Sequence, residues 1–223
     1  MDLDPIWLSI KLAVITTFLL LLLGIPVAYW LSRKQNLLKI IIEAFITMPL
    51  VLPPSVLGFY LLLAFSPNNA LGRWLHEYFN LQLVFSFKGL IFASVIYSLP
   101  FMVSPLKAAF THLPKSIAEA SYTMGKSKLQ TFFAVLLPNI KPSLFTAAVL
   151  TFAHTLGEFG VVLMIGGNIP GETKVASIAI YDSVETMDYA GANVYALILF
   201  VITFVIVLGV FIWNRNAVKS PFE

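Results

Sequence analysis

Residues 12–31 read LAVITTFLLLLLGIPVAYWL, without one charged side chain. At 1.5 Å per residue, a helix of that length covers about 30 Å, the thickness of a bilayer's hydrocarbon core. The run follows Met1-Asp2-Leu3-Asp4, an acidic start. A cleavable signal peptide instead opens with basic residues and has a shorter apolar core. The stretch therefore reads as a retained transmembrane helix. Working outward, five spans are expected, at about 8–31, 40–66, 89–110, 142–165 and 192–213, each near the roughly 20 apolar residues that crossing requires. Helices are the expected spans, because backbone groups in lipid must pair within the chain. The alternating pattern of a membrane barrel is absent. The expected fold class is all-α, a single polytopic domain over residues 1–223.

Composition agrees. Of the 223 residues, 59% are hydrophobic and 11% charged, against about 25% charged in a soluble domain. There is too little polar surface to cover a water-exposed globule. With no cysteine, disulfides and thiolate metal sites are excluded. Trp7 and Trp30 bracket the first span and Trp213 ends the fifth, at interface positions for amphipathic rings.

Lys and Arg placement sets the expected orientation. With the N-terminus outside, the inside segments hold Arg33, Lys34, Lys39, Lys107, Lys115, Lys126, Lys128, Lys141, Arg215 and Lys219, and the outside segments hold Lys11, Arg73, Lys88 and Lys174. Ten against four favours N-outside and C-inside. Two outside loops are long, 67–88 and 166–191, and Lys174 to Glu185 is expected to form a short helix lying back on the bundle. Prolines are frequent in the spans: Pro26, Pro49, Pro53, Pro54, Pro100 and Pro105. Each removes a helix hydrogen bond. The cluster Pro49-Val51-Leu52-Pro53-Pro54-Ser55 reads either as a tolerated kink or as a broken helix lining a path.

The most informative loop lies between spans three and four. Residues 111–142 read THLPKSIAEASYTMGKSKLQTFFAVLLPNIKP. Ser116 with Glu119, and Ser127 with Gln130, have capping-box spacing, and Gly125 sits between the pairs. Two short helices with a turn at Gly125 are expected, the second ending before Pro138. Such a pair is either a surface for a soluble partner or an amphipathic connector on the membrane. Gly125-Lys126-Ser127 is also a near match to a phosphate-binding loop. That loop needs a preceding strand and a first glycine, and here the preceding residues read as helix with Ala120 in the glycine's place. ATP binding by this chain is not expected.

Glu119-Ala120-Ser121, three residues, Gly125, nine residues, Val135, one residue and Leu137-Pro138 resemble the EAA loop of ABC importer permeases. Ser121 stands where that pattern has a second alanine and Val135 where it has isoleucine. The resemblance implies a type I permease fold with Glu119, Ala120 and Gly125 at the contact with an ATPase subunit. Leu156-Gly157-Glu158-Phe159-Gly160 resembles the sulfate and molybdate branch. Asn168 to Thr173 and Ala179-Ile180-Tyr181 look most like its molybdate members. By resemblance, two copies of this chain surround a central path and two ATPase subunits bind inside. A periplasmic or cell-surface binding protein delivers molybdate outside, meeting residues 166–191. ATP and Mg would be used by the ATPase partner, with no cofactor on this chain and no nucleic-acid partner. Transport would proceed by alternating access across the inner membrane.

Span four carries Thr151, His154, Thr155 and Glu158. His154 and Glu158 are four apart, on one helix face. Ionisable residues in a membrane helix are functional candidates, yet a carboxylate on an oxyanion path repels its cargo unless protonated or paired. A structural His154–Glu158 pair, a bond from Glu158 to a neighbouring helix or a subunit contact, and a gate or pathway role all stand open. An intramembrane enzyme needs paired groups at one depth, whereas Glu43 falls near the inner face and Glu158 nearer the outer. A haem anchor needs His pairs in the spans, and only His154 lies in one. Sulfate, thiosulfate or tungstate remain as alternative cargoes.

Overall fold

In the computed structural model, residues 2–34 and 36–217 are described, with side chains through Ile212. In chain order the helices are α1 (Asp4–Ser32), α2 (Leu37–Thr47), α3 (Pro54–Phe65), α4 (Ala70–Phe79), α5 (Phe87–His112), α6 (Lys115–Thr123) and α7 (Lys128–Thr131). There follow α8 (Leu137–Asn139), α9 (Lys141–Leu156), α10 (Gly160–Gly166), α11 (Ala176–Glu185) and α12 (Tyr189–Ala217). A 3-10 turn, Met48–Leu50, follows α2, and a π-helical turn, Phe132–Leu136, joins α7 to α8. Among the described residues there is no strand, in keeping with the all-α expectation. The side chains of Trp213 and Arg215, and all of Lys219, lie outside the described residues.

The expected spans are only partly continuous. Three helices are long and apolar enough to cross a bilayer unbroken: α1, α5 and the Tyr189–Ile212 part of α12. Pro26 in α1 and Pro100 and Pro105 in α5 are absorbed without a break. The expected span 40–66 is broken, with α2 and its 3-10 turn meeting α3 at 112°. The cause is local. Pro54 forces Pro53 to an extended ψ of 134°, so the helix cannot run through. The expected span 142–165 is likewise two pieces, α9 and α10, separated at Gly157–Phe159. A further bend of 74° separates α9 from the preceding Lys128–Asn139 segment.

The core is the α1–α5 interface, extended by α9 and α10. At the Ser32 end of α1, Leu20, Ala28 and Leu31 pack with Met102, Val103, Leu106 and Ala147. At the Asp4 end, Leu12 packs with Leu90, Ala93, Val161, Ile165 and Ile178. Close approach needs small residues. A Cβ at Gly58 of α3 would stand 2.7 Å from Met164 Cβ and 3.1 Å from Val161 Cα of α10, so α3 and α10 cross backbone against side chain. On α12, Phe200, Phe204 and Phe211 are exposed, as are Phe18, Leu22 and Leu23 on α1. Apolar area of this extent suits lipid rather than water.

The expected helix in 174–185 is α11, and it is tied deep into the bundle. The Ala176 N–H at its start donates to Ser9 Oγ of α1 at 2.8 Å. Ser177 Oγ donates to the Glu158 carbonyl at 2.6 Å, capping a group freed by the α9–α10 break. The approach loop turns through Gly167 and Asn168, with φ of 68° and 59°. Thr173 Oγ1 donates to the Gly166 carbonyl at 2.7 Å and accepts from Ile169 N–H at 2.8 Å. Asn168 Nδ2 donates to both oxygens of Asp182, and Lys174 Nζ pairs with Asp182 at 2.5 Å. Burial alone would raise the Asp182 carboxyl, but the Lys174 and Asn168 hydrogen bonds and the Lys174 charge outweigh it and hold the group below its ordinary value.

Gly58→Val is expected to cost about 1–3 kcal/mol by overpacking, read as a lower thermal midpoint of the solubilised protein. Asp182 is depressed when folded, so its contribution is present above the ordinary carboxylate value and fades as pH falls through the depressed one. Lys174→Met should therefore lose stability at neutral pH, by at most about 1 kcal/mol for so accessible a pair. That loss should vanish in melts taken well below the ordinary value of 3.8.

Candidate functional site

The α5 helix ends at His112, and the extended Leu113 and Pro114 lead into α6. Pro114 occupies the N-cap and no side chain caps α6. The expected Ser116–Glu119 capping box is therefore not formed, because the helix starts earlier and places Ser116 inside its first turn. The Ser127–Gln130 box is formed, with Ser127 N–H donating to Gln130 Oε1 at 2.9 Å and Gln130 N–H to Ser127 Oγ at 3.3 Å. Between them Gly125 turns the chain at φ 80°, where a side chain is strained. Its N–H donates to Tyr122 O and the Lys126 N–H to Ser121 O, so the last carbonyls of α6 are satisfied as in a glycine C-cap. The phosphate-loop lookalike Gly125-Lys126-Ser127 thus follows a helix, not a strand.

The second short helix does not end before Pro138. It continues through the π turn to Asn139, and the Leu137 N–H reaches back to Phe132 O. The wider turn shifts the hydrogen-bond register ahead of the proline, which has no N–H to offer. Asn139 Nδ2 takes up the Val135 carbonyl at 2.7 Å.

The motif residues divide into two groups. Glu119, Ala120 and Gly125 are exposed. Ser121 is buried, its Oγ 2.9 Å from Thr131 Oγ1, a bond that ties α6 to α7. Leu137 packs on the α1–α5 core beside the buried Leu136, and Val135 and Pro138 are half-buried. Sequence reasoning missed Thr131, and also Phe132, whose ring packs tilted at 57° against Tyr29 of α1 with centroids 4.8 Å apart. It missed an exposed apolar set as well: Met124 at 78%, Leu129 at 68% and Phe133 at 58%. Helical spacing is the signal that marks them, since Leu129 and Phe133 are four apart and share a face.

In the bundle interior the helix break overturns the shared face of His154 and Glu158. His154 is in the last turn of α9, while Glu158 lies beyond Gly157, off that helix. The two do not pair. His154 Nδ1 is 2.9 Å from Ser98 Oγ of α5, and its ring stacks on Phe101 at 3.9 Å. Ser98 Oγ also meets Thr155 Oγ1 at 2.9 Å, and Thr155 Oγ1 donates to the Thr151 carbonyl. Glu158 is 4% exposed, and its carboxyl oxygens make no well-formed hydrogen bond, the Ser94 hydroxyl being the side chain that bears on them; Thr151 Oγ1 is likewise buried without a partner. Serine and threonine hydroxyls thus dominate the interior, and Lys39 is the sole buried cation among the described residues. Glu43, expected near the inner face, is paired with Lys107. Among the described residues no group of three or more His, Asp or Glu is placed to hold a metal ion.

This architecture was compared with known proteins. Residues 20–220 match the family described as binding-protein-dependent transport system inner membrane component. The chain belongs to that family. Among relatives in this transport family, the molybdenum transport system permease protein ModB of Azotobacter vinelandii is 49% identical over 86% of this chain and 85% of its own. A probable sulfate transport system permease protein, cysT of Chlorella vulgaris, is 34% identical over 90% of this chain and 76% of its own. The MetNI methionine ABC transporter, solved in inward-facing conformations, matches with a TM-score of 0.73 over 96% of this chain and 95% of that one. At 17% identity that likeness concerns the fold, a type I permease fold of an inner-membrane component.

Ser121→Val leaves the Thr131 hydroxyl buried without its partner and is expected to cost about 1–3 kcal/mol. A double-mutant cycle with Thr131→Val should recover about 1 kcal/mol of coupling, measured by thermal or denaturant unfolding of the solubilised protein.

Proposed function

We propose that this chain is the membrane-spanning permease subunit of an ATP-driven importer of molybdate. The observation that carries the reading is the 49% identity to a molybdenum permease across nearly the whole chain. The 34% identity to a sulfate permease supports the second reading, the same machine with sulfate as cargo. Transport-permease relatives favour a non-enzymatic role, with ATP hydrolysed by a separate ATPase subunit.

In this reading the α6–α7 hairpin is the coupling element. Glu119, Ala120 and Gly125 face the ATPase, joined by the exposed Met124, Leu129 and Phe133. Apolar side chains this open to solvent favour burial against a partner. Force is delivered through Leu136 and Leu137, which are set into the α1–α5 core. A push on the hairpin therefore moves α9 and α5 together. The Lys and Arg distribution supports a cytoplasmic hairpin and an outside N-terminus. Two copies enclose the path, and the segment 166–191 meets the binding protein. The hydroxyls of Ser94, Ser98, Thr151 and Thr155 are buried within one copy, where Ser98 and Thr155 brace α9 against α5. Glu158 and His154 act as gate or packing residues beside the path.

Labelled molybdate uptake in cells lacking this chain, and in cells where it is restored, tests the cargo. Loss and rescue are expected, resistant to excess sulfate. Rescue abolished by sulfate would move the assignment to the second reading. Gly125→Pro, which cannot adopt a φ of 80°, should reduce uptake at least tenfold while the protein remains in the membrane.

A further inference from the structure

The Ser32 end of α1 opens onto a cavity of about 740 Å³, walled by the end of α1, the start of α2, the end of α5 and α6. Arg33, Lys34, Lys39 and Lys115 line it, with Glu119 the one acidic lining residue. None of the four cations takes part in the ion pairs formed by the described residues, which are Lys107–Glu43 and Lys174–Asp182. Neutral groups hold two of them, Lys39 and Arg33. Lys39, 6% exposed, donates to the Trp30 carbonyl at 2.5 Å and stands 4.9 Å from the centre of the Trp30 ring. The Arg33 guanidinium lies 5.1 Å from the centre of the Tyr29 ring. A buried ammonium without a carboxylate is costly, and an anion in the cavity removes that cost. Pro114 and Lys115 on the wall are the N-cap and first residue of α6; the Ile117 N–H is taken by the Pro114 carbonyl, which leaves the Lys115 and Ser116 N–H groups without an intrahelical acceptor, an arrangement that favours an anion as well.

A second feature narrows the choice of anion. From the cavity rim, α2 exposes Leu37 at 73%, Ile41 at 45% and Phe45 at 66%, spaced by four and so on one stripe. The Trp30 ring beneath Lys39 is itself 42% exposed. A free inorganic anion uses only the cations; a phospholipid uses the cations and the apolar stripe together. Basic pockets between membrane helices bind anionic headgroups on this principle. We propose that this cavity binds the phosphate headgroup of an anionic phospholipid, with the acyl chains lying along Leu37, Ile41 and Phe45. The site is independent of the transported cargo.

The test is lipid binding to the full-length protein in neutral detergent, followed by native mass spectrometry with phosphatidylglycerol, phosphatidylcholine and inorganic phosphate as probes. Phosphatidylglycerol should be retained at least tenfold better than phosphatidylcholine. Arg33→Gln with Lys34→Gln should weaken it about 25-fold, at about fivefold per cation. Arg33→Lys with Lys34→Arg should keep it, which separates charge from folding. Leu37→Ser with Ile41→Ser should weaken phosphatidylglycerol without changing inorganic phosphate. Equal retention of the two lipids, or binding unmoved by the Gln pair, overturns the site. Displacement of phosphatidylglycerol by millimolar inorganic phosphate, with no effect of the Ser pair, assigns the cavity to a free phosphate and overturns the lipid.

Discussion

Inside a bilayer every backbone N–H and C=O must find its partner within the protein, and this fold breaks its helices at mid-bundle. The rest of the structure follows from how those breaks are repaired. The carbonyl freed at Glu158 is capped by Ser177, and the first N–H of α11 by Ser9 of α1. These two bonds hold α11 in the bundle and fix the α9–α10 break against α1. Without them, non-helical backbone at this depth would cost several kcal/mol per unpaired group. The broken region is therefore a built feature, and hydroxyl side chains supply its partners.

The breaks also divide labour. Continuous α1 and α5 form the frame, packed along their length through Leu12, Leu20, Leu90, Met102 and Leu106. The bent segments attach to that frame and carry the chemistry. α9 brings Thr151, His154 and Thr155 to α5, while the π turn and α8 carry the α6–α7 hairpin onto the same frame through Leu136. A partner that binds Met124, Leu129 and Phe133 thus acts on a lever whose far end is the hydroxyl-lined interior. Closely packed interfaces of this kind transmit displacement because they do not compress.

Much of this was legible in the sequence. The apolar run at 12–31 determined the membrane as solvent, since a helix of that length without charge has no stable place in water. The Ser127–Gln130 box and the Gly125 turn were readable because capping is local chemistry, settled within four residues. The Gly125 turn between Glu119 and Pro138 marked a helical hairpin, and Pro53-Pro54 marked a break, since proline constrains its predecessor wherever it stands.

Tertiary structure alone decided the rest. Sequence spacing put His154 and Glu158 on one face by assuming an unbroken helix. The break at Gly157 separates them, and its stability depends on Ser177, 19 residues beyond Glu158. Ser116 reads as a cap until Pro114 takes that place, and Pro138 reads as a stop until a π turn shifts the register. Ser9 with Ala176 is 167 residues apart, and Ser98 with His154 is 56; no local pattern encodes such pairs. The sequence by itself determined solvent, helix class and the hairpin turn at Gly125, because hydropathy and capping act over one turn to one span. Which polar groups meet inside the bundle was decided only by packing, because in lipid a freed backbone group is satisfied by whichever hydroxyl the neighbouring helix presents.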